Sequence, residues 1–401
     1  MKSILLKGIL QRSLYTLAAA LLTMTLMPSC STVHEYPDED YYYGYDDEEE
    51  DGSGSGSGSS SDDDDASMDI VLVASVNRSS PAVYQVMEWD DGDWTYSESE
   101  DTAEAYSAPE GYVLRIHMDL FEGNVSDNRV TGNPQKFLLQ RYTFYCDGDA
   151  AAPQDSVSVT LAAGEYYVLA WADYVPEDDP TDWHYHTDTL SAVWVDYSTY
   201  PANWHLRDCS AAVQEFEVCL DDDGEPYIFT DDKISSYNYL EVCCERPVGR
   251  WRAVATDYAK FARTGTRGGD LKVMVEYVQY VAIGYNVSTE AANRYISTYT
   301  FSRDSLMSTK GTDAGTMDIV GDYLLVTNHN SVTNVKANIY LLDADDNVHT
   351  YATDIIVPLK QGMETVIRAP FLTQDIYEGA TGQSGVNIDE GFSGEFVITV
   401  E

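Results

Sequence analysis

Basic residues are scarce in this chain. Its 401 residues include 23 lysines and arginines against 68 aspartates and glutamates, which gives a formal net charge of −45 at pH 7. Nucleic acids and anionic lipid surfaces attract proteins chiefly through lysine and arginine, and a surface this acidic repels both. The composition therefore predicts no nucleic-acid partner. It is typical of an exported protein that its charge keeps soluble.

Long apolar runs are also missing, apart from one near the N-terminus. Residues 1–12 carry three basic side chains and no acidic one, and residues 14–27 are apolar but shorter than the roughly 20 residues that span a bilayer. Ser29 then precedes Cys30. This order predicts a lipoprotein signal peptide at residues 1–29, with Cys30 acylated and its lipid as the membrane anchor. The alternative is an ordinary signal peptide with a cysteine nearby.

The segment after Cys30 contains no lysine or arginine up to residue 65. Residues 35–65 include 14 acidic side chains and a Gly-Ser repeat from Gly52 to Ser61. Such a composition cannot bury enough apolar surface to offset the entropy of ordering, so we expect residues 30–65 to form a disordered tether. A flexible chain of this length averages roughly 30 Å from end to end, and like-charge repulsion extends it.

Helical periodicity is nearly absent from the remaining sequence, and residues 257–262 alone could form a short helical turn. Alternating β-branched and aromatic segments between turn-forming residues predict an all-β fold. The predicted strands lie at residues 69–76, 112–118, 137–145, 156–161, 166–170, 192–195, 215–220, 240–243, 251–256, 272–281, 323–327, 336–342, 355–359, 365–368 and 395–400.

The length of the exported chain favours two domains over one. The predicted strands fall into two similar sets with a boundary near residues 236–240, and short strands at this spacing are typical of β-sandwiches. We therefore predict an N-terminal β-sandwich at residues 66–238 and a C-terminal β-sandwich at residues 239–401.

Signatures of catalysis are missing as well. The sequence has no Gly-x-Ser-x-Gly motif, no phosphate-binding glycine loop and no cysteine in a known catalytic context. Acidic residues are too abundant for any one carboxylate pair to indicate glycoside hydrolysis. We predict a non-enzymatic protein with no catalytic residue and no cofactor.

Two segments resemble metal sites only weakly. His184 and His186 lie two positions apart, but the nearest further histidine is His205, so we favour an aromatic strand or loop rim over a transition-metal site. Residues 343–347 resemble the start of a calcium loop, yet valine and aspartate stand where such a loop needs glycine and glutamate. A hairpin turn between two strands is the better interpretation, and no metal site is predicted.

Cysteines are few, and their number is odd once Cys30 is set aside. An exported location permits disulfides, but five cysteines leave at least one thiol free. Cys209 with Cys219 is the first pairing to test. As a group these residues look more like isolated buried hydrophobic side chains than a disulfide framework.

Several elements together resemble a family of Bacteroidales surface lipoproteins related to fimbrillins and to the anchor subunits of minor fimbriae. In chain order they are Val33-His34-Glu35-Tyr36-Pro37, the hairpin from Leu161 to Trp171-Ala172-Asp173-Tyr174, Leu206-Arg207-Asp208-Cys209, Glu245-Arg246-Pro247, the run from Ala255 to Phe261, and the run from Val386 to Ile398. The resemblance implies two tandem transthyretin-like β-sandwiches and a non-catalytic role at the cell surface. The long acidic tether and an insertion at residues 68–101 depart from the family pattern.

Arg78 is the first basic residue after Cys30 and follows the strand predicted at residues 69–76. In polymerising fimbrillins, which the chain resembles, cleavage at an arginine after an early strand opens a groove that accepts a strand from the next subunit. An anchor subunit keeps its own strand and its lipid. The lipid signal therefore favours an anchor or accessory subunit that pairs strand to groove with fimbrial subunits.

Two functional hypotheses follow. The first is a fimbrial anchor, accessory subunit or adhesin, lipid-anchored in the outer membrane and facing the cell exterior; a periplasm-facing lipoprotein is the alternative location. The second is a glycan-binding lipoprotein of a polysaccharide-uptake system, in which Trp183, Tyr185, Trp194 and Trp204 would face the ligand, because aromatic rings stack on sugars. The same rings would equally suit the core of a tyrosine-rich sandwich.

Overall fold

Strands make up most of the residues that the structure describes, as the alternating sequence predicts. The computed structural model describes residues 67–377, with gaps at residues 91, 104–109, 148–149, 151, 200–203, 231–232, 236–237, 266, 309–310, 313–314 and 329–330. The strands in this part of the chain are β1 (Ser67–Val76), β2 (Ala82–Asp90), β3 (Asp93–Ser97), β4 (Tyr112–Glu122), β5 (Leu138–Asp147), β6 (Gln154–Ala162), β7 (Gly164–Pro176), β8 (Tyr185–His186), β9 (Val193–Val195), β10 (Cys209–Leu220), β11 (Pro226–Thr230), β12 (Lys233–Ser235), β13 (Tyr239–Cys244), β14 (Val248–Ala255), β15 (Lys272–Tyr277), β16 (Val281–Asn286), β17 (Ala291–Ile296), β18 (Tyr299–Arg303), β19 (Met317–Leu325), β20 (Thr333–Leu342), β21 (Val348–Leu359) and β22 (Met363–Ala369).

Helices are short. The α-helices of the described residues are α1 (Val125–Val130) and α2 (Tyr258–Phe261). The side chain of Asn124 caps α1 by accepting a hydrogen bond of 2.9 Å from the backbone N–H of Asp127, which satisfies one of the free amides of the first turn. The 3-10 helices are Pro134–Phe137, Leu190–Ala192, Trp204–Arg207, Ala262–Thr264, Gly268–Asp270 and Val287–Thr289. No helix among these residues is long and apolar enough to cross a membrane.

The first pair of sheets encloses one hydrophobic core. A three-stranded sheet of order β13-β1-β6 packs against a six-stranded sheet of order β12-β11-β10-β7-β4-β5. Ile70 and Leu72 from β1 meet Ile116 from β4 and Val168 from β7 in this core. Alternate residues of β1 point inward, and this period-2 pattern is what allowed the strand to be predicted from residues 69–76.

A second pair of sheets encloses a separate core. A five-stranded sheet of order β19-β14-β22-β2-β3 packs against a four-stranded sheet of order β18-β15-β20-β21. Trp251 and Ile367 from the first sheet meet Val275 and Ile339 from the second. The turn predicted at residues 343–347 joins β20 to β21, which pair antiparallel, so the hairpin interpretation is confirmed.

A third cluster fills the space between the two sheet pairs. Its residues come from the outer face of the six-stranded sheet, from the four-stranded sheet β17-β16-β9-β8, and from β19. Phe121 and Trp171 of the six-stranded sheet pack there with Tyr285 and Tyr323. Because the six-stranded sheet is covered on both faces, its central strand β7 is buried over ten consecutive residues rather than at alternate ones.

Strand pairing does not follow the predicted boundary between residues 238 and 239. β13 lies beyond that boundary but pairs with β1, whereas β2 lies before it but pairs with β22. Neither pairing could be read from local sequence, because each joins strands that are more than 150 residues apart. All described residues fall within one compact unit, Asp62–Glu401. The all-β fold is confirmed, while tandem transthyretin-like domains stay a prediction of the resemblance.

Several predicted elements differ in detail. The predicted strand at 272–281 is two strands, β15 and β16, and the short helical turn predicted at 257–262 is present as α2. Cys30, the tether and the predicted strand at 395–400 lie outside the described residues.

Candidate functional site

β1 occupies the middle of the three-stranded sheet. It pairs parallel with β13 and antiparallel with β6, and neither of these pairs with another of the strands described above. Ile70, Leu72, Ala74 and Val76 point into the core and are at most 6% exposed. Without β1 the core would therefore open as a groove one strand wide between β6 and β13.

The link from β1 to β2 is held against the link from β13 to β14. The side-chain amide of Asn77 donates to Glu245 at 3.0 and 3.1 Å, and its backbone N–H donates to the carbonyl of Cys244 at 3.0 Å. Arg246 donates from Nη1 to the carbonyl of Ser79 at 2.8 Å. These bonds fix the C-terminal end of β1 in its sheet.

Arg78 lies within this fixed link and is only partly exposed. Its guanidinium carbon lies 5.5 Å from the ring centroid of Tyr174, within the range of a cation–π contact. The two side chains line a small recess with Val76, Asp208, Ser210 and Arg246. The side chain at which a protease would cleave is thus engaged with its own protein.

Three of the recognised sequence elements meet at this recess. Tyr174 ends the hairpin element that begins at Leu161. Asp208 belongs to the element Leu206-Arg207-Asp208-Cys209, and Arg246 to Glu245-Arg246-Pro247. Arg246 pairs with Asp208 through Nε at 2.9 and 3.0 Å from the two carboxylate oxygens, and both side chains are at most 10% exposed. The motifs that carry the family resemblance therefore build the junction where β1 ends.

A buried chain of polar groups crosses between the two sheet pairs beside this junction. Nη1 of Arg207 lies 2.8 Å from Oδ2 of Asp322, and the same oxygen accepts a 2.7 Å hydrogen bond from the hydroxyl of Tyr277. Trp251 donates from Nε1 to that hydroxyl at 3.0 Å. Burial raises the pKa of Asp322, while Arg207 and Tyr277 oppose this shift and favour the carboxylate.

A second buried network holds the segment before β8. Arg115 donates two hydrogen bonds to Asp173, at 3.0 and 2.8 Å, and a third of 2.6 Å to Asp182. Burial raises the pKa of Asp173 to about 6, although the guanidinium of Arg115 lowers it. Nearby, His117 contacts Thr143 at 2.8 Å, and burial together with two arginines lowers its pKa to about 3.

Two of the four predicted ligand-facing aromatics belong to the core, and this corrects the prediction. Tyr185 and Trp204 are each 2% exposed. The hydroxyl of Tyr185 donates to the carbonyl of Arg207 at 2.5 Å, and the ring of Trp204 lies under the guanidinium of Arg250 at 4.9 Å. Neither ring has a face that a sugar could stack on.

The other two aromatics are half-buried. Trp183 donates from Nε1 to the carbonyl of Tyr174 at 2.8 Å and packs against the first core. Trp194 has His186 stacked on its ring, with centroids 3.8 Å apart and planes at 7°, and the guanidinium of Arg294 reaches it at 5.4 Å. Arg294 comes from β17, on the opposite side of β9 from His186, so side chains of the protein already occupy the faces of this indole.

The histidine pair does not form a metal site in the described part of the chain. His184 is fully buried, and its Nδ1 lies 3.2 Å from the carbonyl of Thr199, whereas the ring of His186 stacks on Trp194. Burial lowers the pKa of His184 well below its ordinary value, so the ring is neutral at pH 7. No group of three or more possible ligand side chains occurs among these residues.

The proposed disulfide between Cys209 and Cys219 is wrong. Both residues lie in β10, at its first position and near its last. Ten residues of extended strand separate them by roughly 34 Å, far beyond the reach of a disulfide. No disulfide joins any two of the five cysteines among the described residues, Cys146, Cys209, Cys219, Cys243 and Cys244.

Sequence reasoning did not predict that arginines would form buried ion pairs. Arg115, Arg246 and Arg250 lie in or beside strands and pair with acidic residues that are at most 21% exposed. Acidic residues carried no signal in a chain with so many of them. A basic residue inside an apolar strand such as residues 112–121 was the available clue, since basic residues are rare here.

A family model shows where the chain belongs. The model of DUF6562, a family of unknown function, matches residues 86–401. The chain belongs to this family. No curated protein sequence is significantly similar to it.

Solved structures give weaker similarities. A candidate adhesin from Bacteroides ovatus is 11% identical with a TM-score of 0.36, and the match covers 72% of this chain and 78% of that one. A fimbrial assembly protein from Parabacteroides distasonis is 10% identical with a TM-score of 0.33, covering 76% and 91%. The tip fimbrial protein Mfa3 from Porphyromonas gingivalis is 11% identical with a TM-score of 0.32, covering 73% and 81%. Scores this low establish neither a common fold nor a common function.

Proposed function

We propose that this chain is a non-catalytic lipoprotein of the outer surface that serves as an anchor or accessory subunit of a fimbria, or as an adhesin. The observation that carries the proposal is the position of β1. The strand that follows the predicted tether is the middle strand of its sheet, so the lipid would be joined to the body through the strand that closes the groove.

Retention of β1 is what distinguishes an anchor from a polymerising subunit in this proposal. Burying Ile70, Leu72 and Val76 contributes roughly 5–9 kcal/mol relative to exposing them, at about 1.5–3 kcal/mol for each side chain. The bonds from Glu245 and Arg246 to the following link hold the strand at its C-terminal end. A cut at Arg78 would sever the body from the lipid unless β1 stayed paired, and the engaged side chain of Arg78 disfavours that cut.

The mass of the protein taken from its own cells tests this proposal. An anchor has a mature N-terminus at Cys30 with lipid attached, whereas a processed polymerising subunit begins at Ser79. Crosslinking on intact cells should then recover fimbrial subunits with the anchor form. A mature chain that starts at Ser79 would contradict the proposal. So would crosslinked material that contains no fimbrial subunit under conditions where fimbriae are made.

The glycan-binding alternative has less support. It would now rest on Trp183 and Trp194, and both rings pack against side chains of the protein. A glycan array with Trp194→Ala measures it directly, because selective binding that this substitution abolishes would favour the alternative.

A further inference from the structure

β6 forms an edge of the three-stranded sheet. It pairs along its length with β1, and no other described strand pairs with it. The backbone N–H of Val76 donates to the carbonyl of Pro153 at 3.0 Å, which sets the alternation of the antiparallel ladder. Backbone groups of Val157 and Val159 consequently face β1, and those of Ser158 and Thr160 face away from it.

This edge lacks the features that usually protect an exposed strand. Its sequence from Gln154 to Ala162 contains no lysine, arginine or proline, and its register with β1 runs without a bulge. Asp155 is its one charged residue, and its carboxylate accepts the outward N–H of Ser156 at 2.7 Å. Among the described residues, the outward backbone groups of this edge are therefore occupied at Ser156 and open at Ser158 and Thr160.

An apolar strip lies beside the open edge. β5 is the edge strand of the opposing sheet and lies close to β6 on this side. Tyr142 and Phe144 from β5 and Val157 and Val159 from β6 pack against the first core but stay half-exposed. A strand added to β6 would cover this strip with every second side chain and complete the open side of the core.

We propose that the free edge of β6 binds an extended segment of another protein, which adds as a fourth strand to the sheet β13-β1-β6. Its inward side chains are apolar and cover Tyr142 and Phe144. The segment is neutral or basic, because it approaches a chain of net charge −45. A second copy of this chain is disfavoured at the edge, because the two copies carry the same large negative charge and repel each other. This inference does not depend on the fimbrial proposal, since β1 stays in place.

A synthetic probe tests the edge in the full chain. The probe is a nine-residue peptide of alternating valine and threonine with a lysine at each end, and the readout is amide hydrogen exchange. We expect saturating peptide to slow exchange at Ser158 and Thr160 by at least about tenfold. The same peptide with proline at its centre should have no effect. Unchanged exchange at both amides in the presence of the first peptide overturns the proposal.

Substitutions separate edge binding from folding. Ser158→Pro removes an outward donor without changing the ladder to β1, and edge strands tolerate proline. It should therefore abolish the protection at Thr160, the amide that remains to be measured, while thermal stability stays close to wild type. Ser158→Ala keeps the donor and should keep the protection.

If Ser158→Pro fails to fold, a second experiment uses the wild-type chain and a peptide that carries an activated disulfide at an inward position. The thiolate of Cys146 on β5 would displace the leaving thiol and form a mixed disulfide faster than Cys219 does.

Four outcomes would contradict the proposal. If Ser158→Pro leaves the protection by the peptide unchanged, the peptide binds elsewhere. Equal labelling of Cys146 and Cys219 leads to the same conclusion. Protection without peptide that grows with protein concentration assigns the edge to a second copy. Protection without peptide at every concentration means that another segment of the same chain covers the edge.

Discussion

Arg207 and Asp322 form an ion pair that joins the two sheet pairs from inside. The arginine comes from a 3-10 helix before β10, the aspartate comes from β19, and their side chains are 5% and 0% exposed. The buried carboxylate of Asp322 is tolerated because it accepts hydrogen bonds from Arg207 and from the hydroxyl of Tyr277. The pair therefore links the first half of the chain to the second and fixes the position of the 3-10 helix relative to β19.

Arg207→Ala should destabilise the protein by about 3–5 kcal/mol, because it leaves the carboxylate of Asp322 buried without its cation. Urea unfolding measures this change. The matched control is Arg368→Ala, whose pair with Glu88 lies on the surface with side chains 44% and 54% exposed, and its cost should stay below about 1 kcal/mol. Equal costs for the two variants would show that the buried pair does not tie the halves together.

Leu72→Ala should cost about 2–5 kcal/mol, since it leaves a cavity in the core under the three-stranded sheet. Ser75→Ala is the control in the same strand, because its side chain faces outward and bonds Glu241 at 2.9 Å in an exposed position. Thermal and urea unfolding of the two variants give the comparison. A loss for Leu72→Ala below that for Ser75→Ala would mean that β1 is not held in the groove.

Acid should destabilise the fold through its buried histidines. In the unfolded chain a histidine has a pKa of about 6.5, whereas burial lowers the pKa of His117 and of His205 to about 3 and that of His184 well below 6.5. Between these values the unfolded chain binds more protons, so the free energy of unfolding falls as pH drops below about 6.5.

Asp173 acts in the opposite sense, because burial raises its pKa from 3.8 to about 6 and the folded chain then binds the proton first. Burial also raises the pKa of Asp119 and of Asp322, so three carboxyls oppose the three histidines. We expect a net loss of stability, because the pKa shift from 6.5 to about 3 at His117 and at His205 exceeds the shift from 3.8 to about 6 at Asp173. The urea midpoint should be lower at pH 5 than at pH 7.5, and His117→Gln should reduce the difference. A midpoint independent of pH would contradict the prediction.

Five thiols should react with a thiol reagent once the described part of the chain is unfolded, because none of its five cysteines forms a disulfide. Cys209 and Cys244 should react only after unfolding, since each is at most 3% exposed. A reductant should leave the melting temperature unchanged. Fewer than five reactive thiols in the unreduced chain would reveal a disulfide that the structure does not contain.

The sequence predicted local structure well and long-range pairing badly. Alternation identified β1 and the hairpin between β20 and β21, because a half-buried strand repeats every two residues. Nothing local indicated that β13 pairs with β1 or that β2 pairs with β22. Both pairings cross the boundary predicted near residue 238, and the division into two domains stays a prediction.

At the candidate site, the sequence located residues but not their roles. Arg207, Asp208 and Arg246 were noticed as family elements, yet their pairing with one another and with Asp322 depends on strands distant in sequence. For Tyr185 and Trp204 the sequence left a ligand-facing and a core position open, because aromatic content does not distinguish a ligand-facing ring from one that fills a layer between sheets.

The exchange of strands between the two halves has a consequence for how the chain folds. β2 pairs with β22 about 280 residues later, and β1 pairs with β13 about 170 residues later. The first core therefore cannot close before β13 is present, and the second cannot close before β22 is present. Contacts this far apart in sequence slow folding and favour a late, concerted transition over domain-by-domain acquisition of structure. A truncation before β22 should therefore leave the second core unfinished, although every residue of the first core would still be present.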